Sequence, residues 1–469
     1  MSECLKTIKV YTITQSSPNI IARPEHNISR KDISKSAVKV LYTLKDAGYE
    51  GYLVGGCVRD LLLGHHPKDF DVATNATPEQ VKALFRSSRI IGRRFQIVHV
   101  RFGREIIEVT TFRGPHDDED TQHVSDEGML LRDNVYGTLE QDAWRRDFTI
   151  NALYYTVKDF SIVDYTNGME DLKSKTIRMI GEPSVRFQED PVRMLRAIRF
   201  AAKLNFKIQH DDEVSIKHAL DENIHLLEAV SSARLFDEVL KLFMSGYGEA
   251  VYVLLIKENI YQRLFAFDSL TETEFYINFV KQGLANTDLR IQQEKPITPA
   301  FLFAVLLWPA VEVLAKQLQK KDHSLYDALN FAGQQIIEQV NVRITIPKRF
   351  RYMMRDIWSL QIRLPSRIGR RAYKSLEQKR FRAGYDFLLL RSQVSNAQAE
   401  NNVVNEYDMS HSSVEELNEL SQWWTQFQTE DDDGKKAMIK ALPHTGSKRK
   451  TKSKKSGFKK SASKKPAEN

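Results

Sequence analysis

The chain has 469 residues, enough for more than one domain, and 42% of them are hydrophobic, which allows sizeable cores. Its net charge of +8 is concentrated at the end: Lys448 to Lys465 holds ten basic residues and no acid, so the remainder is near neutral and any nucleic-acid surface on it must be a local patch. Cys4 and Cys57 fit no zinc or disulfide spacing and point to a reducing, cytoplasmic setting. The first residues lack the apolar core of a signal peptide. The most apolar run, Ala300 to Val311, is short for a bilayer and contains Pro309, so it reads as a buried helix.

Residues 1–30 show little periodicity and read as a flexible arm. From Asp32, apolar residues at Ile33, Ala37, Val38, Val40, Leu41 and Leu44 follow helical spacing until Gly48. The stretch from Tyr52 to Asp71, YLVGGCVRDLLLGHHPKDFD, reads as strand, turn, short helix, turn and second strand. Gly55 and Gly56 let backbone N–H groups approach a triphosphate with no Cβ in the way, and the helix start adds positive potential. Arg59 can offer phosphate oxygens a planar fork. Alternate strand residues share a face, so Asp69 and Asp71 project together, their α-carbons about 6.6 Å apart, and can share hard divalent cations. Two such ions suit an in-line displacement at phosphorus. Cys57 reads as a small buried residue rather than a catalytic one.

LVGGCVRDLLLG followed by KDFDVATNATPEQV resembles the head-domain signature of class II nucleotidyltransferases. That superfamily includes the bacterial poly(A) polymerases and the CCA-adding tRNA nucleotidyltransferases. Further along, Thr77-Pro78-Glu79 opens a helix through Phe85. Alternation at Phe95, Ile97 and His99, and again at Ile107, Val109 and Thr111, predicts a hairpin turning near Gly103-Arg104. Glu108 on its second strand is either a third metal carboxylate or an outward-facing strand acid. Gly92 to Val100, GRRFQIVHV, resembles a segment that marks bacterial poly(A) polymerases rather than CCA-adding enzymes. Residues 115–128 are acidic and aperiodic and read as a loop, despite His116 and His123.

In LEQDAWRRDFTINALYYTV, residues 139–157, Leu139, Ala143 and Trp144 share a helical face. Its RRDFTINA run resembles a second motif of the superfamily. By that resemblance Asp147 belongs to the active site, where it orders the ribose or the metal-bound acids, and Arg145 and Arg146 face phosphates. A strand and turn at 161–172 close the head. Pro191 then starts a helix with Glu189 and Asp190 favourable at its N-terminus and Val192, Leu195, Ile198 and Ala202 as its apolar stripe. The same segment resembles the EDxxR base-reading motif, which implies that Asp190 accepts from, and Arg193 donates to, the edge of a base. His210-Asp211-Asp212 hints at an HD phosphohydrolase without the further ligands that activity needs. Beyond Ser231 the pattern is helical. Residues 341–392 interleave arginines with aromatics; the arginines suit RNA and most of the rings suit a core. The order of the IPKR, RDIW and FRAGYD segments again resembles bacterial poly(A) polymerases, so the resemblance spans about 31–395. The Lys/Ser-rich end reads as disordered, serving either to attract phosphate or to keep the chain soluble.

These readings predict an α/β nucleotidyltransferase head domain followed by all-α neck and body domains, with a disordered basic C-terminal tail. The expected divisions are an arm at 1–30, a catalytic head at 31–185, a base-reading neck at 186–275, an arginine-rich RNA-binding body at 276–430 and the tail at 431–469. The expected activity is that of a polynucleotide adenylyltransferase: template-independent addition of AMP from ATP to RNA 3′ ends, with Mg²⁺, or Mn²⁺ in its place, on Asp69 and Asp71. Gly55, Gly56 and Arg59 would hold the triphosphate, Asp147 would order the site, and Asp190 with Arg193 would select adenine. The alternatives are CCA addition to tRNA and a catalytically idle RNA-binding protein on the same fold, against which the intact acid pair argues. The resemblance also implies a part in bacterial RNA decay, with Hfq and RNase E as neighbours.

Overall fold

The computed structural model describes residues 17–92, 96–114, 135–210, 215–266, 273–400 and 413–442. Arg93 to Phe95, the loop with His116 and His123, Asp211 and Asp212, and the basic tail beyond Leu442 lie outside the described residues.

The head is organised by a sheet of eight strands: β1 (Asn19–Ile21), β2 (Gly51–Val54), β3 (Asp71–Thr74), β4 (Ser88–Ile91), β5 (Ile97–Phe102), β6 (Glu105–Thr111), β7 (Leu153–Thr156) and β8 (Ile162–Asp164), in the spatial order β1-β8-β7-β2-β3-β6-β5-β4. Neighbours are antiparallel except β3 and β6. The predicted hairpin is β5–β6, turning at Gly103-Arg104. On one face lies α1 (Lys35–Asp46), with Ala37, Val40, Leu41 and Leu44 buried. Ser34 starts it by accepting the Ala37 N–H at 3.0 Å. The short α2 (Gly56–Leu62) follows β2, and α3 (Pro78–Leu84) starts with a capping box between Thr77 and Gln80. The other face is covered by α4 (Leu139–Arg145), whose Leu139 and Ala143 pack with Val54, Ala73, Phe112 and Tyr154. The last head helix is α5 (Gly168–Ser174).

The predicted arm is partly structured. β1 pairs with β8 from Asn19↔Asp164 to Ile21↔Ile162, and His26 Nε2 lies 2.8 Å from the Phe160 carbonyl. A strand of three residues is too short to show a period, which is why the pattern concealed it.

Helices make up the rest: α6 (Pro183–Glu189), α7 (Val192–Leu204), α8 (Ile216–Asn223), α9 (Ser232–Phe243), α10 (Gly248–Lys257), α11 (Ile260–Phe265), α12 (Glu274–Gln292), α13 (Pro299–Gln319), α14 (Leu325–Arg343), α15 (Lys348–Arg363), α16 (Arg370–Leu376), α17 (Phe381–Glu400), α18 (Val414–Thr429) and α19 (Asp432–Lys440). The division expected at 185/186 falls inside α6, so head and neck share a helix. α13 has 21 residues and is long and apolar enough to cross a membrane, more than its apolar run suggested. Its residues from Leu302 to Val311 are nevertheless all buried, packed against α12, α14 and α15 as a core helix.

A second core joins Leu417, Leu420, Trp424 and Phe427 of α18 to Leu360, Phe381 and Tyr385. The tail was expected from residue 431. Instead Asp431 accepts the Gly434 N–H at 2.7 Å and starts α19, whose Met438 and Ile439 pack on that second core. The charges of Asp432, Asp433, Lys435 and Lys436 obscured two anchoring apolar residues.

Candidate active site

One row of residues crosses five strands. Tyr154 of β7 stands opposite Val54 of β2, Val54 opposite Asp71 of β3, Asp71 opposite Glu108 of β6, and Glu108 opposite His99 of β5. Opposed residues share a face, so Asp71, Glu108 and His99 lie side by side. The row sits at the end of β2, where Gly55 takes φ +78° and ψ −134°, a conformation that L side chains rarely adopt. Gly55 ends the ladder at Val54↔Asp71, so β3 begins at Asp71. Asp69 therefore lies in the exposed bend before the strand, not on it as predicted, and buried Phe70 anchors the chain between the two acids.

Burial pushes the Asp71 carboxyl up to about 6; the Glu108 carboxylate adds to the rise, Arg146 opposes it, and Asp69 adds again. His99 Nε2 is 3.2 Å from Glu108 Oε1. Among the described residues no three His, Cys, Asp or Glu side chains are gathered closely enough to hold a metal ion unaided. A donor set of carboxylate oxygens with one half-buried and one exposed member fits a hard cation that completes its shell with water and phosphate oxygens.

Arg59 departs from the expected phosphate fork. Its Nε and Nη2 donate to Asp60 Oδ1 at 2.8 and 2.6 Å, and its Nη1 donates to Asn151 Oδ1 at 2.7 Å. The guanidinium is buried, 5.3 Å from the Phe200 ring centroid. An acid at the next position and the packing of α7 turn Arg59 into a brace between α2 and Asn151. Arg59 Nη2 still lies 3.4 Å from where a Cβ on Gly56 would stand. Arg146 flanks the glycine turn at Gly55. Its Nε donates to the Tyr154 hydroxyl at 2.8 Å and its Nη2 to Asp142 Oδ2 at 3.0 Å, while its Nη1 lies 3.7 Å from where a Cβ on Gly55 would stand. Arg145 donates to the Gly114 carbonyl. Burial alone would raise Asp142, but Arg146 and Arg113 hold it below the usual carboxylate range. The Asp142–Arg146 pair has i,i+4 helical spacing and could have been read from sequence.

Asp147 accepts from Arg196 Nε at 2.6 Å and from the Phe148 N–H at 2.9 Å. Burial acts to raise its pKa, yet Arg196 outweighs that and holds it low. At the start of α7, Asp190 Oδ1 accepts the Val192 N–H at 3.2 Å and its Oδ2 accepts from Arg234 Nη2 at 2.7 Å. Arg193 Nη1 donates to Glu189 Oε2 at 2.7 Å and to the Arg186 carbonyl at 2.8 Å. Asp190 and Arg193 thus share one turn, each held by a different partner. The sequence reading did not find Arg234, Arg186 or the Asp147–Arg196 pairing. The arginine recurrence at 193, 196 and 199 was visible, but the pairs Arg234–Asp190 and Arg196–Asp147 join residues 44 and 49 positions apart. Cys57 is free and buried, and burial pushes its thiol up to about 12, in keeping with a structural role.

Three family models match the chain: "Poly A polymerase head domain" over residues 51–178, "Probable RNA and SrmB- binding site of polymerase A" over 212–268, and "Polymerase A arginine-rich C-terminus" over 321–457. The chain is 47% identical over 436 residues to Poly(A) polymerase I of Salmonella typhimurium, a match covering 90% of this chain and 88% of that protein. A CCA-adding enzyme of Lactobacillus helveticus is 41% identical over 228 residues, covering 48% of this chain and 54% of that protein. In fold the chain is similar to a solved structure titled "tRNA-processing enzyme (apo form I)", with a TM-score of 0.57 and 22% identity over 88% of this chain and 99% of that one. Near full-length identity, continued through the arginine-rich C-terminal match, places the chain: it belongs to the poly(A) polymerase I family.

Proposed function

We infer that the chain adds AMP from ATP to RNA 3′ ends without a template and releases pyrophosphate. The observation that carries this reading is the Asp71–Glu108 pair standing at the end of the Gly55 turn, in a chain that matches Poly(A) polymerase I over 90% of its length. Asp69 and Asp71, with Glu108 as a third carboxylate, would hold Mg²⁺, and Mn²⁺ suits the same oxygens. When bound, the metal would lower the pKa of the attacking RNA hydroxyl and offset charge on the α-phosphate and the departing pyrophosphate.

The chain's own residues bind and orient. Gly55 and Gly56 present backbone to the triphosphate, with Arg146 Nη1 beside them. Arg59 supports this turn from beneath through Asn151. Asp147 fixes Arg196 and the Phe148 backbone, and so the floor of the site. Asp190 and Arg193 read adenine, one accepting from the amino group and the other donating to the ring. Arg193 has only Nη1 engaged among the described residues, which leaves its other nitrogens for a base. The exposed Arg349, Arg363, Arg370, Arg371 and Arg382 of the body offer cations to RNA phosphates, while Trp358, Phe381 and Tyr385 are buried in cores, as the sequence suggested. The partners this reading requires are RNA 3′ ends and ATP, met in the cytoplasm; no described residue identifies a surface for Hfq or RNase E.

The test is nucleotide choice. The protein and Mg²⁺ are incubated with an unstructured RNA or a tRNA lacking its CCA end, with ATP or CTP supplied separately. Long ladders from ATP alone on the unstructured RNA are expected. Short additions that need CTP and occur only on tRNA would make this a CCA-adding enzyme, and no incorporation of either nucleotide would leave an RNA-binding protein.

A further inference from the structure

The face of the head sheet opposite the acid row carries a cavity of about 600 Å³. Tyr154 points to the α4 side with Val54 and Ala73, whereas the next residue, Tyr155, belongs to the core on the α1 side and lines this cavity. Four cations surround it, Arg23, Arg30, Lys31 and Lys35, and no carboxylate lines it. The two arginines meet only neutral groups: Arg23 Nη1 donates to the His26 carbonyl at 3.0 Å, Arg30 Nη1 donates to the Tyr42 hydroxyl at 3.1 Å, and the Arg30 guanidinium lies 5.0 Å from the Phe160 ring centroid. Among the described residues neither lysine makes an ion pair.

A second observation is independent of this charge. The Tyr155 ring is packed in the core while its hydroxyl opens into the cavity, and Arg23 and Arg30 are the cations that face it. That hydroxyl is open to the cavity, so a group bound there can accept a hydrogen bond from it. Cations gathered without a counter-charge call for an anion of more than one charge. The volume is that of a small-molecule site, and Ile33, Val38 and Phe160 add apolar wall that an inorganic ion would not use. A hydroxyl at the floor of the cavity can meet one inserted group but not an RNA backbone passing over the rim.

We propose that this cavity is a second, non-catalytic site for a nucleoside polyphosphate. Its phosphates lie among Arg23, Arg30, Lys31 and Lys35, a phosphate oxygen accepts from the Tyr155 hydroxyl, and its base or sugar rests on the apolar wall.

The experiment is a calorimetric titration of the full chain with ATP, without RNA, on wild type, the double variant Lys31→Glu/Lys35→Glu, and Tyr155→Phe. Two ATP equivalents per wild-type chain are expected. The double variant retains one and keeps the wild-type kcat and KM for adenylate transfer. Tyr155→Phe keeps the ring in its core and weakens one equivalent by about tenfold; it carries the test if the double variant does not fold. One equivalent in the wild type, unchanged by either substitution, overturns the proposal. So does a double variant that binds ATP normally but unstructured RNA poorly, which would make the rim an RNA contact. The transfer assay reports on the catalytic reading separately, so failure of one does not carry the other.

Discussion

Asp71 and Glu108 face each other across β3 and β6, the parallel pairing of the described head sheet. Two carboxylates in that register repel, and burial of Asp71 sharpens the repulsion, which a divalent cation held as proposed would relieve. Removing one acid should therefore spare the fold while removing the chemistry. Asp71→Asn is expected to lower AMP incorporation by on the order of 10³-fold, and Glu108→Gln by a smaller factor, with melting temperatures in EDTA at or above that of the wild type. A soluble Asp71→Asn protein with full activity would end the assignment.

Arg59 makes the opposite prediction. It joins Asp60 and Asn151 inside the protein, so Arg59→Ala leaves the buried Asn151 oxygen without its donor and Asp60 with Lys203 alone, and should cost about 3 kcal/mol of stability. Urea unfolding measures this directly. If the midpoint holds and KM for ATP rises instead, the guanidinium reaches phosphate after all.

Acid should weaken the protein through Asp142 and Asp147. Asp142 and Asp147 are both held below the usual carboxylate range, so each contributes stability that is complete above its unfolded value, near about 4, and is lost as the pH falls through its folded value. Asp147→Asn should lower the urea midpoint at neutral pH, with the gap to wild type closing in the acid. A gap that stays constant with pH would show that the Arg196 pair contributes nothing by charge.

Cys57 should resist alkylation in the native protein. Its thiol is buried and pushed up to about 12, so almost no thiolate exists at neutral pH. Mass spectrometry of the Cys57 peptide should show label only after denaturant, and rapid native labelling would mean that β2 and α2 open readily.

The strand–turn–strand around Gly55 and the hairpin at Gly103 were legible because glycine and period-two alternation are local signals. The helix start at Thr77 was legible because its Thr-Pro-Glu signature is local too. The rank of Glu108 beside Asp71 was not, because it depends on a parallel register between residues 37 apart, joined by α3, β4 and β5. Asp69 was placed on a strand because alternation says nothing about where the neighbouring strand stops. The engagement of Arg59 was not legible for a different reason: Asp60 was in plain view, but burial, which decides whether such a neighbour captures a guanidinium, is a property of the fold. Asp190 and Arg193 were recognised by motif, while their holders, Arg234 and the Arg186–Glu189 pair, come from tertiary packing.

Arg186 gives Glu189 one nitrogen at 2.7 Å and gives the carbonyls of Arg145 and Arg146 another, at 2.7 and 2.8 Å. Lys203, farther along the next helix, reaches Asp60 of the head at 3.2 Å. The turn proposed to measure the base is thereby bolted to the domain proposed to hold the phosphates. Swinging the neck aside to admit a pyrimidine would then break both fastenings. On the proposed reading, fidelity would come from a rigid gauge rather than a closing jaw, and a looser gauge, not a weaker grip on ATP, is how mistakes would begin.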